Sequence, residues 1–226
     1  MYHNETEYGL GAMKVLTVAN RKGGAGKSTC AAHLALESIR DGIKTIIVDL
    51  DPQKTLEGWW NRRDSDDLPL IDLPEKKTEE VLKNISSKGF ELCIVDTPGD
   101  ASQNSRLGIS LADLVLIPSK PTAPDLSAIG RTISMVEEQD KKYVFVLTQG
   151  IVRSKATFQA SSVLSSFGPV APAVISNRTS YASAMGMGNS ACEIDKAAEE
   201  EIRQVWKFIK DRLFESKQNK KSKFVA

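Results

Sequence analysis

Three short stretches of this 226-residue chain carry residue types that can handle a phosphate. The first runs from Asn20 to Thr29, reading Asn-Arg-Lys-Gly-Gly-Ala-Gly-Lys-Ser-Thr, directly after the apolar run Val15 to Ala19. Gly23, Gly24 and Gly26 let the backbone bend tightly and bring several N–H groups to bear on phosphate oxygens. Lys27 adds a positive charge, and Ser28 a hydroxyl ligand for Mg²⁺. A helix starting here would present its positive end to the same anion. The second stretch, Asp49-Leu50-Asp51-Pro52-Gln53, follows an apolar run, as does the third, Asp96-Thr97-Pro98-Gly99. Phosphoryl transfer needs a metal to bridge phosphates, cations to hold developing charge and a group that orients a water. Lys27 fits the cation at the β and γ oxygens, and Asp96 fits the carboxylate that holds the ion through water. An aspartate after a strand is often only a turn residue; a phosphate loop about one βαβ unit upstream favours the metal role.

Such motifs need strand ends to carry them. Apolar, β-branched runs alternate with helical patterns, as expected for an α/β domain with a mostly parallel twisted sheet and helices on both faces. The pattern predicts strands near 14–19, 44–49, 68–72, 91–95, 113–117, 142–148 and 170–175. It predicts helices near 27–40, 76–87, 101–110, 125–139, 155–166 and 194–215. Ligands of open parallel sheets sit beyond the carboxyl ends of strands, where all three motifs fall. Asp49 and Asp51, read as alternate strand residues, would share a side and face one ligand.

The glycine loop departs from the general P-loop pattern, which would place Gly where this chain has Arg21, and carries instead a second lysine, Lys22. In the form Lys-Gly-Gly-Ala-Gly-Lys-Ser it resembles the deviant Walker A of the ParA/MinD ATPases. Asp49 to Gln53 resembles that family's Walker A′ segment, and Asp96 its Walker B. Trp59-Trp60, Ile117-Pro118 with Pro121 to Asp125, and Ile175 to Arg178 before Tyr181 are similar to short plasmid-partition ATPases of the ParF kind, over roughly residues 13–215. The resemblance implies a P-loop NTPase fold and an ATP hydrolase using ATP and Mg²⁺, with Gly23, Gly24, Ala25, Gly26, Lys27, Ser28 and Thr29 on the phosphates. It assigns Asp51 to the lytic water, Asp49 with Ser28 and Asp96 to the metal shell, and Asn177 and Arg178 to the surroundings of the adenine. Lys22 would cross to the partner's ATP in a face-to-face homodimer, completing the catalytic set with Lys27 and Asp51. Family members bind nonspecific DNA as ATP dimers and are released when a ParB-like or other cargo-adaptor protein stimulates slow hydrolysis. Their cargo is a plasmid, a chromosome or a protein assembly.

Composition bounds these expectations. The chain's formal charge is +1. From Glu201 onward eight Lys/Arg stand against three Asp/Glu, a local +5, which fits phosphate-backbone binding through Arg203, Lys207 and Lys210. Residues 1–12 read as a flexible extension with no room for a helix-turn-helix ahead of the loop. Residues 13–215 read as one domain, and 216–226 as a basic mobile tail. Cys30, Cys93 and Cys192 lie far apart without C-x-x-C spacing, so each reads as a small core residue in a reducing cytoplasm; the family resemblance further implies association with the nucleoid when ATP is bound. An alternative is a MinD-like membrane-surface ATPase with Val205-Trp206, Phe208-Ile209 and Leu213-Phe214 as an amphipathic anchor. Those residues are more economically a core-packing face. A small-molecule enzyme on the same fold lacks a second substrate pocket in the sequence, and the cysteines do not match an iron–sulfur protein.

Overall fold

The computed structural model describes residues 13–214, so the expected extension and tail lie outside it. Six parallel strands form the sheet: β1 (Lys14–Val18), β2 (Thr45–Asp49), β3 (Leu92–Asp96), β4 (Leu114–Ser119), β5 (Tyr143–Gly150) and β6 (Ile175–Ser176), in the order β2-β3-β1-β4-β5-β6. The helices are α1 (Lys27–Arg40), α2 (Thr55–Trp60), α3 (Thr78–Ser87), α4 (Gln103–Leu111), α5 (Ala123–Glu137), α6 (Lys155–Ser165), α7 (Thr179–Met187) and α8 (Lys196–Phe214). This is the P-loop NTPase arrangement.

The central strands are apolar throughout because helices cover both of their faces. Leu16, Val18, Ile47 and Ile94 pack under α1 and α8, while Val15, Ile46, Val48, Cys93 and Val95 join a cluster on the other face with Ile85 of α3. A third cluster packs Ile129, Ile133 and Val136 of α5 and Ala160 and Leu164 of α6 on β4 and β5. The three cysteines are buried and unpaired, as core residues should be.

Register sets the site. Val18 and Asp49 both lie opposite Asp96, so β1, β2 and β3 end level and their three loops open at one edge.

Two expected strands shrink. The segment near 68–72 makes a single bridge, Leu70 to Ile47, and the one near 170–175 bridges at Val170 before the two-residue β6. Two helices were not expected. α2 is six residues long and begins after Lys54, held at φ 51°; α7 carries too weak an apolar stripe to reveal itself.

Candidate functional site

The loop from Asn20 to Gly26 is fixed from several directions. The Asn20 amide donates to Pro118 O (2.6 Å) and accepts from the Lys22 N–H (2.8 Å). Thr148 Oγ1 donates to Ala25 O (2.8 Å) and Gln149 Nε2 to Gly24 O (3.0 Å). Gly26 sits at φ 88°, which a side chain would resist, and α1 starts at the next residue. Lys27 is buried. Gly99, from the loop after β3, packs so closely that a Cβ there would lie 3.1 Å from Gly23 Cα and 3.3 Å from Lys27 Nζ. A cavity of about 680 Å³ opens here, lined by Gly23, Gly24, Gly26, Lys27 and Ser28 with Asp51, Pro98, Gly99 and Gln149.

The three acidic residues take different environments. Asp96 is fully buried and neither carboxylate oxygen has a hydrogen-bond partner. Burial pushes its pKa up to about 7; Ser28 and Lys27 oppose the rise, and Asp49 and Asp51 add to it. The Ser28 hydroxyl is thus near enough to act on the carboxylate without a well-formed hydrogen bond to it. Two orphaned oxygens beside a hydroxyl and a phosphate loop suit a cation, which would satisfy them and restore their charge. Among the described residues no three His, Cys, Asp or Glu side chains form a metal cage. A small divalent ion held by Ser28 and Asp96 would therefore keep water and phosphate oxygens in its shell, as Mg²⁺ prefers.

Asp49, expected in the metal shell, is already engaged by backbone donors. Its two oxygens accept the N–H groups of Asp51 and Glu57, both at 2.9 Å, so it shapes the loop carrying Asp51. Burial still holds its pKa above the ordinary carboxylate value, against those two bonds. Because β2 ends at Asp49, Asp51 lies in a turn, and the expected same-face strand geometry does not apply. Asp51 reaches the cavity through that turn, with Oδ1 accepting the Gln53 N–H at 2.9 Å.

A second cavity, about 260 Å³, adjoins the first at Gly26, Thr29 and Gln149. Its lining includes Thr148, Ile175, Asn177, Arg178 and Tyr181. It is more apolar than the phosphate cavity and fits a flat base. Asn177 and Arg178, expected near the adenine, line this cavity next to the phosphate loop. Sequence reasoning missed Thr148 and Gln149. Gln149 sits at φ 53°, an uncommon conformation for a non-glycine residue.

Residues 16–188 match the family described as the CobQ/CobB/MinD/ParA nucleotide binding domain. The chain belongs to that family. It is 31% identical over 190 residues to Protein ParA of Rhizobium radiobacter, covering 79% of this chain and 85% of that one. It is 30% identical over 204 residues to the maintenance of carboxysome distribution protein A of Halothiobacillus neapolitanus, covering 84% and 93%. Its fold superposes on the MinC:MinD cell division protein complex of Aquifex aeolicus with a TM-score of 0.74, at 18% identity, over 87% of this chain and 95% of that one.

Within this family member the distinguishing lysine is held in its own subunit. Lys22 Nζ lies 2.9 Å from Asp125 Oδ2, near the start of α5. Asp125 is buried, its other oxygen has no partner, and the Thr122 hydroxyl also bonds to it.

The three α8 cations are unequal. Arg203 pairs with Glu200, and Lys210 pairs with Asp41 at 2.8 Å. Lys207 is exposed and has no acidic partner among the described residues. The residues proposed as a membrane anchor are largely spent elsewhere: Val205, Trp206, Ile209 and Leu213 are buried in the core, with Phe208 and Phe214 packed against it. Among the described residues no helix is long and apolar enough to cross a membrane.

Proposed function

We propose that this chain is a ParA-type partition ATPase. It binds Mg²⁺-ATP, forms an ATP-dependent homodimer on nonspecific DNA, and hydrolyses ATP slowly under stimulation by a ParB-like or other cargo-adaptor protein. The cycle segregates or positions a plasmid, a chromosome or a protein cargo, and would place the protein on the nucleoid within the cytoplasm. The observation that carries this reading is the level ending of β1, β2 and β3, which gathers the phosphate loop and Asp51 at one cavity and sets the buried, orphaned Asp96 behind it, beside Ser28 and Lys27. The similarity to ParA and to the carboxysome distribution protein supports the positioning role.

In this mechanism the N–H groups of residues 23–29 and the Lys27 ammonium hold the phosphates. Ser28 and Asp96 would hold Mg²⁺, which supplies charge neutralisation at the β and γ oxygens. Asp49 keeps the loop shaped so that Asp51 can accept a hydrogen bond from a water at the cavity and orient it for attack. Gly99 allows the β3 loop to close on Lys27 without a clash. Lys22, once free of Asp125, adds a cation at the partner's phosphates.

Asp51→Ala tests the assignment. Removing the water-orienting group should cost about 10²–10⁴ in turnover, while calorimetry still records wild-type-like ATP binding. Undiminished turnover would move the role away from Asp51. Lys27→Ala should lose ATP affinity itself, which separates binding from chemistry.

A further inference from the structure

Glu201 lies on α8 and is absent from the lining of both cavities, yet its carboxylate takes five hydrogen bonds from the wall of the second one. Oε2 accepts the Ser176 N–H at 3.0 Å and the Tyr181 hydroxyl at 2.9 Å. Oε1 accepts the Ser176 hydroxyl at 2.7 Å and the Arg178 Nε and Nη2 at 3.0 and 2.9 Å. A carboxylate offers about four lone-pair sites, so these donors saturate it. Glu201 is 8% exposed, and Arg178 supplies the charge that such burial requires.

The wall needs this support. β6 has two residues, and its pairing with β5 slips in register between Thr148 and Gly150. So short a ladder fixes little by itself, and the wall's next residues, Asn177 and Arg178, have already left the strand. Ser176, Arg178 and Tyr181, which flank Asn177, are all bound to Glu201. Asn177 is exposed, and among the described residues its side-chain amide makes no hydrogen bond. It is therefore free to act as donor and acceptor at once, the pairing that an adenine edge presents.

We propose that Glu201 is the positioning residue of the base pocket. It fixes Ser176, Arg178 and Tyr181 so that Asn177 is presented to a purine, and it makes adenine affinity depend on a carboxylate that touches no ligand. This rests on the nucleotide-site reading above and deepens it. It also ties α8, which bears Arg203, Lys207 and Lys210, to the occupancy of the base pocket.

The test is calorimetric titration of wild type, Glu201→Gln and Tyr181→Phe with Mg²⁺-ATP, Mg²⁺-GTP and Mg²⁺-tripolyphosphate. In Glu201→Gln an amide NH₂ replaces one acceptor oxygen and meets a fixed donor whichever way it turns, the Arg178 guanidinium at the Oε1 position or the Ser176 N–H at the Oε2 position, and the wall opens. ATP binding should weaken about tenfold, the loss expected for hydrogen bonds to a charged group, and the preference for ATP over GTP should narrow. Tripolyphosphate, which uses only the phosphate loop, should bind within about twofold of wild type. Tyr181→Phe removes one of the five donors and should shift ATP in the same direction by a smaller factor; it carries the test alone if Glu201→Gln does not fold. Unchanged ATP affinity and base preference in the folded variants overturns the proposal, as does an equal loss of ATP and tripolyphosphate, which would mark a scaffold residue only. Wild-type protein that binds neither ATP nor tripolyphosphate would instead overturn the nucleotide-site reading, and this inference with it.

Discussion

Lys22 cannot leave Asp125 without uncovering a buried carboxylate. Asp125 is 5% exposed, against 34% for the lysine side chain, so the cost of separation falls mainly on the aspartate. Without the lysine it keeps only the Thr122 hydroxyl and the N-terminal end of α5, and a buried charge stripped of its partner costs several kcal/mol. In the proposed cycle, the partner's ATP phosphates must outbid Asp125 for the ammonium. Asp125→Asn keeps the side chain's shape and removes the charge, so the lysine is held less tightly. The variant should dimerise with ATP at about tenfold lower protein concentration, the equivalent of roughly 1.4 kcal/mol, as read by light scattering. Weaker dimerisation would show that Asp125 presents the lysine and does not retain it. Residues of the local motifs, from Gly23 to Thr29 and Asp51 and Asp96, were legible in the sequence because their spacing is short and their chemistry complementary. Asp125, Gln149 and Glu201 were not. Each acts through partners far along the chain, and nothing adjacent to them marks the role.

Elements were legible where burial on both faces or a clear apolar stripe dictated them. α1 spans Lys27–Arg40 as expected, and the five longer strands fall within a few residues of their expected limits. The misses share a physical origin. Leu70 and Val170 lie at sheet edges where one bridge suffices, so apolar runs there satisfy burial without a ladder. α7 gains its helix from packing. Its Tyr181 and Ala184 are buried, and the Tyr181 ring meets His33 of α1 edge-on at 5.1 Å. His33 is itself a joint between elements. Its Nε2 accepts the Ala191 N–H at 3.1 Å, which assigns the proton to Nδ1, bonded to Thr29 O at 2.8 Å. Burial holds its pKa down at about 4, below the ordinary 6.5. The fold thus refuses a proton that the unfolded chain accepts. Stability from this group is complete above about pH 6.5 and declines as pH falls towards 4, by roughly 2 kcal/mol at pH 5. Asp96, raised to about 7 from 3.8, has the opposite sign: in the nucleotide-free protein its contribution grows as pH drops below 7. Comparing His33→Gln with wild type by urea unfolding at pH 7.5 and pH 5 cancels the Asp96 effect. Wild type should lose about 2 kcal/mol more than the variant between the two pH values; equal changes would show that the histidine is not the group responsible.

At the scale of the whole molecule, the proposed DNA contact depends on how much charge α8 can release. The +5 balance read from Glu201 onward includes lysines beyond residue 214, outside the described residues. Within α8, Arg203 and Lys210 already pair with Glu200 and Asp41. Those pairs are substantially exposed, and exposed ion pairs contribute only about 0–1 kcal/mol. A DNA phosphate can compete for such cations, whereas Lys207 is available without exchange. Two subunits joined by ATP would present twice as many of them, and each phosphate neutralised adds roughly 0.9 to the slope of log affinity against log salt. The ATP-bound protein should therefore bind duplex DNA with a much steeper salt dependence than the nucleotide-free chain, and with slight sequence preference, since phosphate contacts carry no base information. Lys207→Glu alone should weaken retention more than Arg203→Glu, because the arginine's charge is partly committed to Glu200. Replacing Arg203, Lys207 and Lys210 together should abolish retention while ATP-dependent dimerisation persists. Lys210 needs a check of its own. Asp41 also accepts the indole N–H of the buried Trp206 at 2.9 Å, so a glutamate at 210 would repel Asp41 at the seam between α1 and α8, and Lys210→Ala should accompany it. Loss of DNA with Lys210→Glu but not Lys210→Ala would trace the effect to that seam. If wild-type protein with ATP and Mg²⁺ shifts no duplex at low salt yet sediments with anionic liposomes, the basic surface serves a membrane, and the DNA-carrier reading falls.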